Sequence, residues 1–135
     1  MITIGLDAYL IAAKNRKIIE EDKNCDWLEF EEIRDNPNFW DGDEFKWPQH
    51  DAIEMWYSRK FWSLIEGVPA LREGIQKPDD ICLINKETLR QMIEYHSFHP
   101  DYFDGFTSLP ALCELYQLYD EIQANGLKLY FCASY

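Results

Sequence analysis

Basic residues are scarce in this sequence. Its 135 residues include 13 Lys and Arg against 25 Asp and Glu, which gives a formal net charge of −12 at pH 7. Proteins that bind nucleic acid or an anionic membrane surface directly use clusters of Lys and Arg to contact phosphates. The shortage argues against both classes of partner. It favours a partner that is itself basic, because opposite charges steer the encounter.

Closely spaced cysteine pairs are absent, and so are long apolar runs. The four cysteines are widely spaced and form no C-x-x-C pair, so the sequence does not indicate a disulfide framework. No hydrophobic run approaches the roughly 18 residues that a transmembrane helix needs. The N-terminal residues lack the basic segment of a signal peptide. We therefore expect a cytoplasmic protein with reduced thiols.

Motifs of catalysis are missing as well. The chain has neither a G-x-x-x-x-G-K-[ST] phosphate loop nor a G-x-S-x-G nucleophile elbow. Cys113 lies in a predicted helix away from any nearby His, so we expect it to pack in the core. Asp7 lies in an apolar strand, where a buried carboxylate needs a partner; we expect Arg59 or a backbone amide to pair with it, rather than a general-base role. We therefore expect a protein without catalytic residues and without a cofactor.

Alternating and apolar segments predict the strands. Residues 2–13 alternate between apolar and polar positions, which is typical of a half-buried strand, and Ile18 begins a short candidate partner strand. The apolar run 81–84 and the alternating segment 127–134 predict two further strands. We expect the strands near the two ends of the chain to pair in the middle of one sheet.

Three segments have the apolar spacing of helices. Residues 53–65 carry apolar side chains at intervals of three and four, and 109–124 do the same. Asn85 is a suitable N-cap for a helix over 86–97. Together with the strands, these helices predict an α+β fold in one domain over residues 1–135, with a small antiparallel or mixed sheet covered by about three helices.

An acidic, aromatic-rich segment is the most unusual feature. Residues 20–54 hold thirteen acids and three bases, and so carry −10 of the total charge of −12. Turn-forming residues such as Asp41-Gly42-Asp43 indicate a mostly irregular excursion, with one short helix near 28–34. Aromatic residues make up 16% of the chain, more than a core of this size needs, so we expect some rings in a groove, at the surface or in a homodimer interface.

This segment supplies the candidate partner-binding residues. Carboxylates there suit a basic protein, and Trp rings are frequent anchors of interfaces. A narrower hypothesis is mimicry of nucleic-acid phosphates, and the plainer alternative is a solvated loop whose rings pack against the core. The candidate partner-binding residues are Trp40, Asp41, Asp43, Glu44, Phe45 and Trp47.

A second hypothesis comes from a different class of protein. His96, His99, Asp101 and Asp104 form the one cluster with the character of metal ligands. These four residues would make the chain a small metal-dependent hydrolase. Pro100 argues against this alternative, because it breaks the helix where a metal site would need order.

Short motifs resemble those of small phage and prophage proteins. The opening Gly5–Leu10 is similar to their Gly-Leu-Asp-x-Tyr-Leu strand, and Glu54–Trp62 looks like their Tyr-Trp-Arg-Lys helix with Ser58 in place of Trp. The ending Leu129–Tyr135 is similar to their closing Tyr-x-Ala-Ser-aromatic strand. The resemblance implies a phage or prophage accessory protein acting in a bacterial cytoplasm, and the acidic surface favours a host protein as its partner. It carries no established activity.

Overall fold

A mixed sheet of five strands lies at the centre of the fold. The computed structural model describes residues 7–22, 27–48, 52–59, 62–99 and 108–134. The strands of these ranges are β1 (Asp7–Ala13), β2 (Leu28–Glu29), β3 (Trp40–Asp41), β4 (Glu44–Phe45), β5 (Ala52–Arg59), β6 (Ile81–Leu83) and β7 (Lys128–Ser134). The large sheet has the order β2-β5-β1-β7-β6, with β2 parallel to β5 and the other pairs antiparallel, while β3 and β4 form a separate hairpin.

Six α-helices lie in the described ranges and complete the α+β fold that the sequence predicts. They are α1 (Arg16–Glu21), α2 (Phe30–Arg34), α3 (Trp62–Gly67), α4 (Pro69–Gly74), α5 (Lys86–Phe98) and α6 (Ser108–Ala124). The predictions of α5, of α6 and of a short helix near 28–34 are confirmed. Asn85 caps α5 as predicted, since its side chain accepts a hydrogen bond from the Thr88 amide at 2.7 Å. The described residues also hold three short helices that the sequence did not predict, α1, α3 and α4.

Strands from the two ends of the chain pair at the centre of the sheet, as predicted. β1 lies antiparallel to β7, from Asp7 opposite Ser134 to Ala13 opposite Lys128. Its other neighbour is β5, so β1 is hydrogen-bonded on both edges. Residues 2–6 of the predicted first strand lie outside the described residues.

The predicted helix over 53–65 is wrong, because residues 52–59 form β5. The register between β1 and β5 shifts beside Leu10, which leaves one extra residue in β5. Ile53 and Trp56 therefore face the same side of the sheet although they are three residues apart, and this spacing imitates a helix. The helix begins only at Trp62. The same finding corrects the helix that the phage resemblance implied for Glu54–Trp62.

Two other expectations also need correction. Ile18 lies in α1 rather than in a strand; Asn15 caps this helix by accepting from the Ile18 amide at 3.1 Å. The excursion over 20–54 is less irregular than expected, because its described residues hold β2, α2, a 3₁₀ turn (Pro37–Phe39) and the β3–β4 hairpin.

Both faces of the sheet are covered by apolar side chains. The larger core lies between the sheet and helices α2 to α6, with Leu10, Ile53, Leu89 and Leu112 fully buried. A smaller cluster on the other face packs against Ile19 of α1. Among the described helices, none combines the length and the apolar composition needed to cross a membrane.

The structure describes the surroundings of two side chains that the sequence singled out. Asp7 accepts a hydrogen bond from the Tyr57 hydroxyl at 2.7 Å, and Arg59 is its neighbour in the backbone register. Cys113 is exposed, so the expectation that it packs in the core is wrong. The apolar stripe of α6 runs through Leu112 and Leu115, and Cys113 falls outside it.

Candidate binding cleft

An open cleft of about 750 Å³ lies between the β3–β4 hairpin, α2 and α6. Its volume is within the range of about 300 to 1,000 Å³ that is typical of ligand sites. Aromatic and acidic side chains dominate the lining. The aromatic residues of the lining are Phe30, Trp40, Phe45 and Trp47, and the acidic ones are Asp43, Glu44, Glu114 and Glu121.

A tight turn builds the hairpin at the rim of the cleft. Trp40 pairs with Phe45 and Asp41 with Glu44, which leaves Gly42 and Asp43 as the two turn residues. Gly42 has a φ of +62°, in the left-handed region that favours glycine. The Asp-Gly-Asp sequence therefore folds locally into a turn that places Asp43 in the lining of the cleft.

The aromatic residues form one continuous cluster. Phe30, at the start of α2, is buried and stacks against Trp47 with ring centroids 5.7 Å apart. Phe45 packs edge-on against both rings, at 5.8 Å from Phe30 and 5.2 Å from Trp47. Trp40 contacts Phe45 at 5.2 Å and is 38% exposed. The cluster anchors the hairpin on α2 and leaves Trp40 accessible.

Hydrogen bonds fix the orientation of both indole rings. The Trp40 Nε1–H group donates to the backbone oxygen of Arg34 at 2.7 Å. The Trp47 Nε1–H group donates to Glu121 Oε1 at 2.8 Å, which joins the hairpin to α6. Rings held in this way are already ordered before a ligand arrives, and this lowers the entropy cost of binding.

The charges of the cleft are only partly compensated. Arg34 of α2 donates to Glu114 of α6 at 2.5 Å, and this hydrogen bond, supported by the negative charge of Glu114, raises the pKa of Arg34. Lys46 lies 3.6 Å from Asp41. Among the described residues, neither Asp43 nor Glu44 has an ion-pair partner. The cleft therefore offers free carboxylates to a cation.

Most of the candidate partner-binding residues meet in this cleft. Trp40, Asp43, Glu44, Phe45 and Trp47 all line it. Asp41 does not line it, and its carboxylate lies toward Lys46.

Sequence reasoning missed the half of the cleft that α6 supplies. Glu114, Leu118 and Glu121 line it from this helix. Their spacing of four and three residues places them along one face of a helix, and that was the available signal. Nothing in the sequence, however, indicates that this face meets residues 40–47.

The candidate metal cluster is only partly described. His96 is buried in α5, where burial lowers its pKa. His99 ends the helix, with its ring stacked on Tyr95 at 4.2 Å and its Nδ1 3.0 Å from the Tyr95 oxygen. Asp101 and Asp104 lie outside the described residues, so the four-residue site stays a prediction. In the described part of the chain, no three His, Cys, Asp or Glu side chains are grouped to hold a metal ion.

A second group of carboxylates lies at the edge of the sheet. Glu54 of β5 is opposite Glu29 of the parallel strand β2, beside a cavity of about 160 Å³. Burial, which is the largest cause, and the negative charges of Glu29 and Glu32 together raise the pKa of Glu54 from its ordinary value of 4.5 to about 7. The pairing of β2 with β5 is tertiary, so the sequence did not reveal this group.

Comparisons with protein-family models, with curated proteins and with solved structures find no match for this chain. Fold and cleft together define an α+β protein with an acidic, aromatic-walled groove.

Proposed function

We propose that this protein is a non-catalytic binding protein that holds a basic protein partner in the cleft between the β3–β4 hairpin, α2 and α6. The observation that carries the proposal is the combination of free carboxylates at Asp43 and Glu44 with ordered aromatic walls in one groove. Free negative charge attracts a basic partner, and preordered rings give it an apolar surface to bury.

Charge supports the encounter and the aromatic cluster supports the bound state. A net charge of −12 favours approach by a basic protein over a wide area. Screening makes such steering sensitive to salt, since the Debye length falls from about 10 Å at 0.1 M to about 3 Å at 1 M. Contacts with Trp40 and Phe45 are apolar and depend less on salt. The affinity of the complex should therefore fall as salt rises, while the part of the affinity that comes from the aromatic contacts remains.

The biological setting is part of the proposal and depends on the phage resemblance. A phage-type accessory protein of this charge would act on a host protein in the bacterial cytoplasm. Where that host protein normally binds DNA or RNA, carboxylates such as Asp43 and Glu44 would stand in for phosphates. In that case the protein inhibits by occupying the nucleic-acid surface of its target.

Capture from bacterial lysate with matched charge variants tests the proposal. The test variant is Asp43→Lys with Glu44→Lys, at the cleft. The control variant is Glu66→Lys with Glu73→Lys, two exposed glutamates on α3 and α4 that make the same change in net charge away from the cleft.

We expect wild type and the control to retain the same basic protein at low salt, and the cleft variant to lose it. A purified partner should then bind the cleft variant at least tenfold more weakly. Equal loss in both variants would mean that net charge, and not the cleft, determines binding. Equal retention in all three proteins would contradict the proposal.

A further inference from the structure

We infer that the cleft is selective for arginine side chains of the partner, with the exposed face of Trp40 as the platform for the guanidinium and the lining carboxylates as its hydrogen-bond acceptors. This inference rests on the proposed function and names the chemistry that the same site recognises. Three features of the cleft support it: an internal guanidinium already bound there, a fixed indole face, and free carboxylates.

Arg34 shows how the cleft binds a guanidinium. Its central carbon lies 5.8 Å from the centroid of the Phe30 ring, and its Nη1 donates to Glu114 at 2.5 Å. An aromatic face together with a carboxylate is the arrangement in which arginine binds best, because the planar cation stacks and donates at the same time. The cleft offers a second aromatic ring in Trp40 and further carboxylates in Asp43 and Glu44, which are not paired with Arg34.

Trp40 is suited to hold a second guanidinium. It is the most exposed aromatic side chain of the cleft, at 38%. Its Nε1–H group is occupied by the hydrogen bond to the Arg34 backbone oxygen, so only the apolar part of the ring is left for a ligand. Indole is the aromatic ring with the strongest attraction for cations.

Lysine fits the cleft less well. Its ammonium is a compact, strongly hydrated charge with no plane to stack. The chain's own Lys46 illustrates the difference. Its side chain stays 60% exposed, and its Nζ lies as far as 3.6 Å from the carboxylate of Asp41, which is 74% exposed. The Arg34 side chain is 34% exposed and makes the shorter contact with Glu114. We therefore expect the cleft to bind arginine about five- to tenfold more tightly than lysine, a ratio in the range of one partly desolvated cation–π contact.

Two peptides of equal length and charge test the inference, one alternating Gly with Arg and the other Gly with Lys. Binding of each is measured by fluorescence anisotropy at low salt. The proteins are wild type, Trp40→Leu, Trp40→Phe and the control Phe98→Leu, which removes an aromatic ring that is 73% exposed on α5. Thermal unfolding of each variant shows that it is folded before binding is compared.

We expect wild type and Phe98→Leu to prefer the arginine peptide by about five- to tenfold. Trp40→Leu should bind the two peptides equally, while Trp40→Phe keeps part of the preference. Both Trp40 variants lose the hydrogen bond to the Arg34 oxygen, so a difference in peptide preference between them measures the contribution of the aromatic ring.

Three outcomes would overturn the inference. Equal binding of both peptides to wild type would leave a cleft that recognises charge alone, and the proposed function would stand. An arginine preference that survives in Trp40→Leu would place the selectivity elsewhere. Failure of wild type to bind either peptide at low salt would count against the arginine inference and the proposed function together.

Discussion

Replacement of Glu54 by Gln should make the protein more stable at alkaline pH and leave it nearly unchanged near pH 4.5. In the folded chain, burial and the charges of Glu29 and Glu32 raise the pKa of Glu54 from 4.5 to about 7. Between these two values the folded protein keeps a proton that the unfolded chain has released. Stability therefore falls as the pH rises through this window and levels off above about pH 7.

The size of the effect follows from the same shift. One pKa unit corresponds to about 1.4 kcal/mol, so the full change from 4.5 to about 7 would be worth roughly 3.5 kcal/mol. Glu54 is only partly buried, and solvent screening reduces such energies. We expect a gain of about 1 to 2 kcal/mol for Glu54→Gln at pH 8, and a gain below about 0.5 kcal/mol at pH 4.5.

Urea unfolding of both proteins at pH 4.5, 6 and 8 measures the difference directly. Asp80 and Glu87 have lowered pKa values, Asp80 through backbone amides and Glu87 through Arg90, so their stabilising contributions are lost as the pH falls. These contributions are the same in both proteins and cancel in the difference. Glu66→Gln, an exposed site on α3, serves as the control. A gain for Glu54→Gln that is equal at all three pH values would refute the reasoning.

Three further predictions concern the packing of the fold. Asn85→Ala removes the acceptor for the Thr88 amide and should lower the free energy of unfolding by about 0.5 to 2 kcal/mol, as measured with urea. In Gly74→Ala the new Cβ would lie 2.5 Å from Cys82 Sγ and 2.9 Å from its Cβ, so we expect a loss of about 1 to 3 kcal/mol, partly recovered when Cys82→Ala is added; full stability of the single variant would contradict this. Exposed Cys113 should react with a thiol reagent faster than Cys82, whose pKa burial raises, and mass spectrometry of the labelled peptides identifies the order.

The sequence was informative where local rules decide the structure. Asn85 predicted the start of α5 because a side-chain cap is a contact between neighbours in the chain. The alternation of β1 and β7 predicted two strands, and their central pairing proved correct. Local rules failed at β5, where a bulge opposite β1 disrupts the alternation of Ile53 and Trp56. A bulge is visible only when the partner strand is known.

The candidate cleft likewise has one part that the sequence predicts and one part that it does not. Residues 40–47 were recognisable because acids, rings and turn formers are concentrated in a short segment. Phe30 and Glu114 belong to the cleft only through tertiary contacts, with Phe30 stacked on Trp47 and Glu114 bound to Arg34. Their contribution to the cleft depends on how α2 and α6 pack, which neither composition nor spacing determines.

Mapping by two-dimensional NMR with isotope-labelled protein tests the central claim most directly. The alternating Gly-Arg peptide is titrated into the protein, and the shifts of backbone amides and indole N–H groups are followed. The account predicts that the largest changes lie at the residues of the cleft, including Trp40, Phe45, Glu114 and Glu121. Changes spread over acids elsewhere, such as Glu20 on α1 or Glu73 on α4, with the cleft signals unmoved, would contradict it.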